Sequence, residues 1–193
     1  LAQAPPPEQI PGVISPREQI ANLKKLAEEA PKMDQDQRAR IAVDLTQRIQ
    51  KEADPVLRTE ILRTLAVCGG PAADAALRCA LSDPDADIRV LACGFCGQQG
   101  DAAAVQRLAA LLSGDIDKDV RMAAARALGS AHDPSAIAIL GTTLEDKDPA
   151  MQYCAVGSLR KLTGRDLGND VDRWRVAIKD GSLRLAERPH HWF

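Results

Sequence analysis

Five cysteines, three histidines and evenly spaced acidic and basic residues are the parts of this 193-residue chain that could do chemistry. Cys93-x-x-Cys96 has the spacing of half a zinc site or of a dithiol redox pair. Asp83-x-Asp85-x-Asp87 and Asp115-x-Asp117-x-Asp119 both read like the opening of a calcium loop. Arg58, Arg89 and Arg121 recur at near-constant intervals and could track a polyanion. Each of these readings depends on the elements that would hold the side chains.

Those elements repeat. When "ADPVLRTEILRTLA", "DADIRVLACGFCGQ", "DKDVRMAAARALGS" and "KDPAMQYCAVGSLR" are aligned, Arg58, Arg89, Arg121 and Gln152 share a column, spaced by 31, 32 and 31 residues. Leu57, Ile88, Val120 and Met151 fill the column before it. Two later columns hold Leu62, Cys93, Ala125 and Val156, then Leu65, Cys96, Leu128 and Leu159. A second element repeats Leu77, Leu108 and Leu140, then Leu81, Leu112 and Leu144. Val120, Ala124 and Leu128 have the i, i+4, i+8 spacing of one helix face, and Ile137, Leu140 and Leu144 have the equivalent i, i+3, i+7 spacing, so each unit is a helix pair. Asp54-Pro55, Asp83-Pro84 and Asp148-Pro149 are expected to open first helices, and Asp133-Pro134 a second one. Gly69-Gly70, Gly97, Gly100 and Gly129 are expected to turn the chain between helices.

The ends are modified units. Ser15 to Glu18 reads as a capping box for a leading helix with the face Ile20, Leu23 and Ala27, and Asp34 with Gln37 opens another, which buries Ile41, Leu45 and Ile49. A glycine-bounded loop then precedes a last helix with Val171, Trp174 and Ile178 on one side, the closure a repeat stack needs. The expected organisation is an extended Pro-rich leader over 1–14, a helical pair over 15–52, repeats with a capping helix over 53–180, and a tail over 181–193. The fold expected is all-α, a right-handed α-solenoid.

The pattern D-x-x-V-R-x-x-A-x-x-A-L-G, best matched by Asp117 to Gly129, resembles that of HEAT-repeat proteins, in particular the short HEAT-like units shared with phycobilin lyase subunits. Arg58, Arg89 and Arg121 fall on the family's arginine position, where Gln152 departs from it, as do Glu60 and Thr64 where alanines are usual. The resemblance implies stacked helix pairs over about Asp54 to Asp180. Units of 34 or 33 residues, the tetratricopeptide and ankyrin periods, do not fit.

Within that frame the chemical candidates weaken. Cys93 and Cys96 sit in core-facing columns, where a free thiol packs as a small hydrophobe. No second ligand pair completes a zinc site, and no His follows for haem attachment. A Cys68–Cys96 or Cys68–Cys79 disulfide stays open for an exported chain. The acidic runs lack the Gly and Glu that complete an EF-hand loop, holding Ile88 and Gly94, and Val120 and Arg126, at those positions. They read as helix caps and as partners for an arginine ladder. The histidines, His132 and His190-His191, form no His-Glu pair, so the di-iron chemistry of one HEAT-like hydroxylase family finds no ligands. No nucleophile elbow, P-loop or dinucleotide fingerprint is present.

The expected function is therefore binding, not catalysis. The chain is read as a protein-interaction scaffold or structural subunit without cofactor or metal, whose partner is another protein or a neighbouring copy. A net charge of −2 gives no case for nucleic acid, and no run is long enough to span a membrane. Ala2-x-Ala4 has the spacing left by signal peptidase, which predicts a periplasmic or extracellular location. Helical phase places Arg78, Gln106, Arg107, Thr142 and Thr143 on exposed faces of second helices, and Trp192 with Phe193 reads as a docking tail. The alternative implied by the lyase resemblance is an auxiliary of chromophore or cofactor attachment.

Overall fold

The structure is a computed structural model that describes residues 14–187. Among the described residues the regular elements are all helices, without strands, and they fall into two compact units that divide between Ala73 and Asp74.

In the first unit, α1 (Pro16–Glu29), a 3-10 turn (Ala30–Lys32), α2 (Gln35–Ile49) and α3 (Pro55–Cys68) pack with α3 against both α1 and α2. Ser15 Oγ accepts the Glu18 N–H at 3.3 Å, and Pro16 takes the first helical position, where no amide is needed. Asp34 and Gln37 form the full reciprocal box, at 2.8 and 3.1 Å. Leu23, Leu45, Leu57, Ile61 and Leu65 are buried, each contributing roughly 1.5–3 kcal/mol. Thr64, where the repeat pattern has alanine, donates its hydroxyl to the Glu60 carbonyl at 2.8 Å and so satisfies itself inside the core.

The second unit takes in most of α4 (Gly70–Ala80), followed by α5 (Ala86–Gln99), α6 (Ala102–Gly114), α7 (Lys118–Leu128), α8 (Ser135–Thr143), α9 (Pro149–Thr163) and α10 (Val171–Lys179). First helices α5, α7 and α9 lie side by side, while α6 packs on α7 and α8 on α9. The repeat columns explain this. Ile88, Val120 and Met151, then Cys96, Leu128 and Leu159, are at most 1% exposed, as are Leu108 and Leu140 of the second helices. Trp174 closes the end fully buried, its Nε1 donating to the Gly168 carbonyl at 2.9 Å.

Two expectations are corrected. Asp83-Pro84 does not open α5; Asp85 does, accepting the Asp87 and Ile88 amides at 2.9 and 3.3 Å. Asp83 instead accepts the Asp85 amide at 2.9 Å, and Asp115 and Asp146 do the same for Asp117 and Asp148. The turn thus needs two aspartates, one folding the loop and one capping the helix. Asp133 likewise takes the Ser135 amide at 2.8 Å from outside α8, with Pro134 between them.

The second correction concerns glycine. Gly69, Gly70 and Gly100 have positive φ and do turn the chain. Gly97 lies inside α5, and Gly129 ends α7 at an ordinary φ of −63°. Their reason is proximity: a Cβ on Gly97 would stand 2.7 Å from the Ala127 carbonyl oxygen, and one on Gly129 would stand 2.7 Å from Ser158 Cβ.

Candidate functional site

The arginine column holds loops. Arg58, Arg89 and Arg121 each donate Nη1 to the carbonyls five and six residues upstream, at 2.8–3.2 Å. Gln152 does the same with one bond, Nε2 to the Asp146 carbonyl at 2.7 Å, so the departure from arginine keeps the function of the column. Arg89 adds a two-pronged pair to Asp115 of the next unit, Nε and Nη2 at 2.8 and 2.9 Å. That pair holds the Asp115 carboxyl below its ordinary range, chiefly through the hydrogen bond. Lys118 reaches Asp148 at 2.6 Å in the unit after. Asp83, Asp85, Asp115 and Asp117 are thereby engaged by backbone amides, Asp115 also by Arg89, and among the described residues no three metal-ligating side chains converge.

Cys93 and Cys96 are fully buried, and burial pushes both thiols up to about 12. At neutral pH neither is a nucleophile or a ready ligand. All five cysteines are free thiols, so neither Cys68–Cys96 nor Cys68–Cys79 is joined; Cys68 is buried, and Cys79 alone is exposed.

Of the second-helix candidates, Gln106, Arg107 and Thr142 are exposed. Arg78 is half-buried, paired with Asp101 at 2.9 Å, and its carbonyl accepts from Arg107 at 3.1 Å. Thr143 is 7% exposed, one step round the helix from Thr142 and beside Leu144, so it cannot serve as an exposed contact. Trp192 and Phe193 lie outside the described residues, as does the leader through residue 13.

A large concave surface of this unit lies on the first helices instead. An open groove of about 1170 Å³ crosses α5, α7 and α9. Its walls are one repeated stripe at i, i+4, i+8: Val90, Gly94 and Gln98 on α5, then Met122, Arg126 and Ser130 at the end of α7, then Tyr153, Gly157 and Lys161 on α9. The hollow exists because Gly94 and Gly157 have no side chain and nothing within 4 Å of where a Cβ would stand. Close approach at Gly97 and Gly129 draws the three helices together beneath it. Tyr153 stands 66% exposed at one rim, and Arg126 and Lys161 bring two cations to the groove against one carboxylate, Glu187.

Lys161 Nζ donates to Ser130 Oγ at 2.8 Å. An exposed ammonium offers three donors and no acceptor, so this contact orients the hydroxyl without activating it. The tail reaches the groove as well: Leu183 is buried, the Ala186 amide donates to the Leu162 carbonyl at 2.9 Å, and Ala186 with Glu187 lines the groove. Sequence reasoning missed this site because it followed apolar columns. The usable signal was the exposed column Gly94, Arg126, Gly157, in which two of three repeats carry glycine in mid-helix against propensity.

Helix pairs stacked through repeated leucine columns, with a repeated arginine holding each inter-repeat loop, define an α-solenoid of helical repeats. The sequence matches the HEAT-repeat family over residues 41–129 and 108–171, more than half its length, and the chain belongs to that family. Among solved structures it is similar to human deoxyhypusine hydroxylase in complex with glycerol, at 26% identity and TM-score 0.58, over 64% of this chain and 44% of that one. It is also similar to an engineered protein at 18% identity and TM-score 0.52, over 88% of this chain and 94% of that one. The chain thus spans less than half the hydroxylase's length, and no curated protein sequence matches it.

Proposed function

We propose that the chain is a non-catalytic interaction scaffold and that the groove over α5, α7 and α9 receives an extended segment of a partner protein. The observation that carries this reading is the hollow at Gly94 and Gly157 between the apolar side chains Val90, Met122 and Tyr153. Rigid repeat surfaces present such grooves without moving, which limits the ordering cost to the partner. Arg126 and Lys161 favour a segment that carries acidic residues beside its apolar anchors. The deoxyhypusine hydroxylase activity stays with that protein.

The test is a photoreactive benzophenone side chain placed at Tyr153, compared with one at Gln106 on the second-helix face. A protein adduct formed through position 153 and not 106 is expected. Adducts through 106 alone, or through neither, would remove the groove from the function.

The chromophore-auxiliary reading has one observation in its favour, a groove roomy enough for a tetrapyrrole with two cations for its carboxylates. A red-shifted absorption band on mixing the protein with bilin would put that reading first.

A further inference from the structure

Three rows of side chains cross the groove, and they differ in chemistry. Val90, Met122 and Tyr153 form an apolar row, and Gln98, Ser130 and Lys161 a polar one. Between them run Gly94, Arg126 and Gly157, which give a hollow, a cation and a second hollow. Among the described residues neither Arg126 nor Lys161 is ion-paired with a carboxylate. We propose that the segment received here is an acidic, proline-rich stretch of a partner protein in polyproline II conformation. Apolar side chains at i and i+6 enter the hollows at Gly94 and Gly157, and a carboxylate at i+3 meets Arg126. The proposal rests on the reading of the groove as a peptide site and names the class of segment that site takes.

Spacing selects the conformation. Neighbouring packed helices stand about 8–10 Å apart, so the hollows on α5 and α9 lie roughly 16–20 Å apart, with Arg126 of α7 between them. A polyproline II segment rises about 3.1 Å per residue and turns once in about three residues. Residues i, i+3 and i+6 therefore face one side and span roughly 19 Å, one residue for each helix crossed. In a β-strand side chains alternate, so i and i+6 would share a face while i+3 pointed away from Arg126.

Backbone chemistry selects the same conformation. A strand docks by main-chain hydrogen bonds to a sheet edge. The walls here are flanks of α5, α7 and α9, whose amides and carbonyls are bonded along each helix, so no such edge is offered. Polyproline II makes no internal backbone bonds and stays solvated, which an open groove permits. The Gln98 amide and the Tyr153 hydroxyl supply donors for its carbonyls, and the exposed tyrosine ring gives it an aromatic surface to pack on. Charge fixes the middle position, because a carboxylate there gives the unpaired guanidinium a charge-assisted partner. A segment already held extended by proline loses little further freedom on binding.

The test uses the full chain and a fluorescein-labelled synthetic peptide, Pro-Leu-Pro-Pro-Glu-Pro-Pro-Leu-Pro, read by fluorescence anisotropy. Saturable binding is expected, weakened about tenfold in Arg126→Gln and when lysine replaces the peptide's glutamate. Gly94→Leu/Gly157→Leu, which fills both hollows, should abolish binding at an unchanged melting temperature. The peptide should crosslink to a benzophenone placed at Tyr153 and not to one at Gln106. No saturable binding, or binding indifferent to Arg126→Gln, overturns the proposal. Equal or tighter binding of a peptide with alanine in place of every proline also overturns it, in favour of a helical occupant. Failure of the scaffold reading looks different. Protein adducts through position 153 without peptide binding sink the proline-rich assignment alone, whereas the absence of both removes the groove from the function.

Discussion

Gly97 on α5 and Ala127 on α7 meet so closely that a Cβ on Gly97 would stand 2.7 Å from the Ala127 carbonyl oxygen and 2.8 Å from its Cβ. Neither atom is the end of a flexible side chain, so the helices themselves would have to part. Gly129 stands in the same relation to Ser158, one repeat on.

Gly97→Ala and Gly129→Ala should each destabilise by about 1–3 kcal/mol through overpacking. Gly94→Ala and Gly157→Ala, in the same helices but with nothing within 4 Å, should each stabilise by about 0.5–1 kcal/mol through helix propensity. Urea denaturation of the four variants checks this. Four shifts of one sign would mean that close packing is not what places these glycines.

Arg89 and Asp115 form the most enclosed ion pair of the second unit, with side chains 12% and 5% exposed. Arg89→Ala leaves the carboxylate buried with the Asp117 amide as its remaining partner, at a cost of about 3 kcal/mol. Because Asp115 is held below its ordinary value, its contribution is complete above pH 4 and is lost as pH falls through that lowered value. Thermal melts from pH 7 to pH 2 should show an acid-dependent loss in the wild type that is smaller in Asp115→Asn.

Much of this was legible in the chain itself. Leu65, Cys96, Leu128 and Leu159 betray the repeat because the same core position recurs every 31 or 32 residues and only apolar side chains satisfy it. The loop aspartates were legible as a type but not by position, since Asp83 and Asp85 can both reach a first-turn amide and only the loop's path chooses between them. Gln152 looked like a break, yet a side-chain amide makes the same bond to a loop carbonyl. The groove was not legible from apolar columns, because it is built from absent side chains at Gly94 and Gly157 and from spacing between helices. Thr143 was misplaced by one step of helical phase, about 100°, enough to turn exposed into buried.

The cysteines give a countable result. Cys93 and Cys96 are fully buried with thiols pushed up to about 12, and burial also raises Cys68 and Cys154. Cys79 is exposed. At pH 8 Ellman's reagent should modify one thiol rapidly in the native protein and all five in denaturant. Three fast thiols, two of them lost in Cys93→Ala/Cys96→Val, would return that pair to the list of reactive sites.

His132, in the turn between α7 and α8, lines the groove and has φ of +47°, the one non-glycine residue with positive φ among those described. In this left-handed region a β-branched side chain crowds the following carbonyl, whereas glycine and asparagine are accommodated. The backbone conformation is held by its surroundings: Ala131 is buried beside Gly100, and Asp133 anchors the Ser135 amide at 2.8 Å. His132→Val should therefore lower stability by about 1–2 kcal/mol, while His132→Asn and His132→Gly stay within about 1 kcal/mol of the wild type. Because the imidazole also faces the groove, the Asn and Gly variants separate its two contributions. They keep the turn and remove the ring, so any change in the adduct yield at Tyr153 belongs to the side chain. Equal stability of the Val and Gly variants would show that the turn relaxes and that positive φ is not required here.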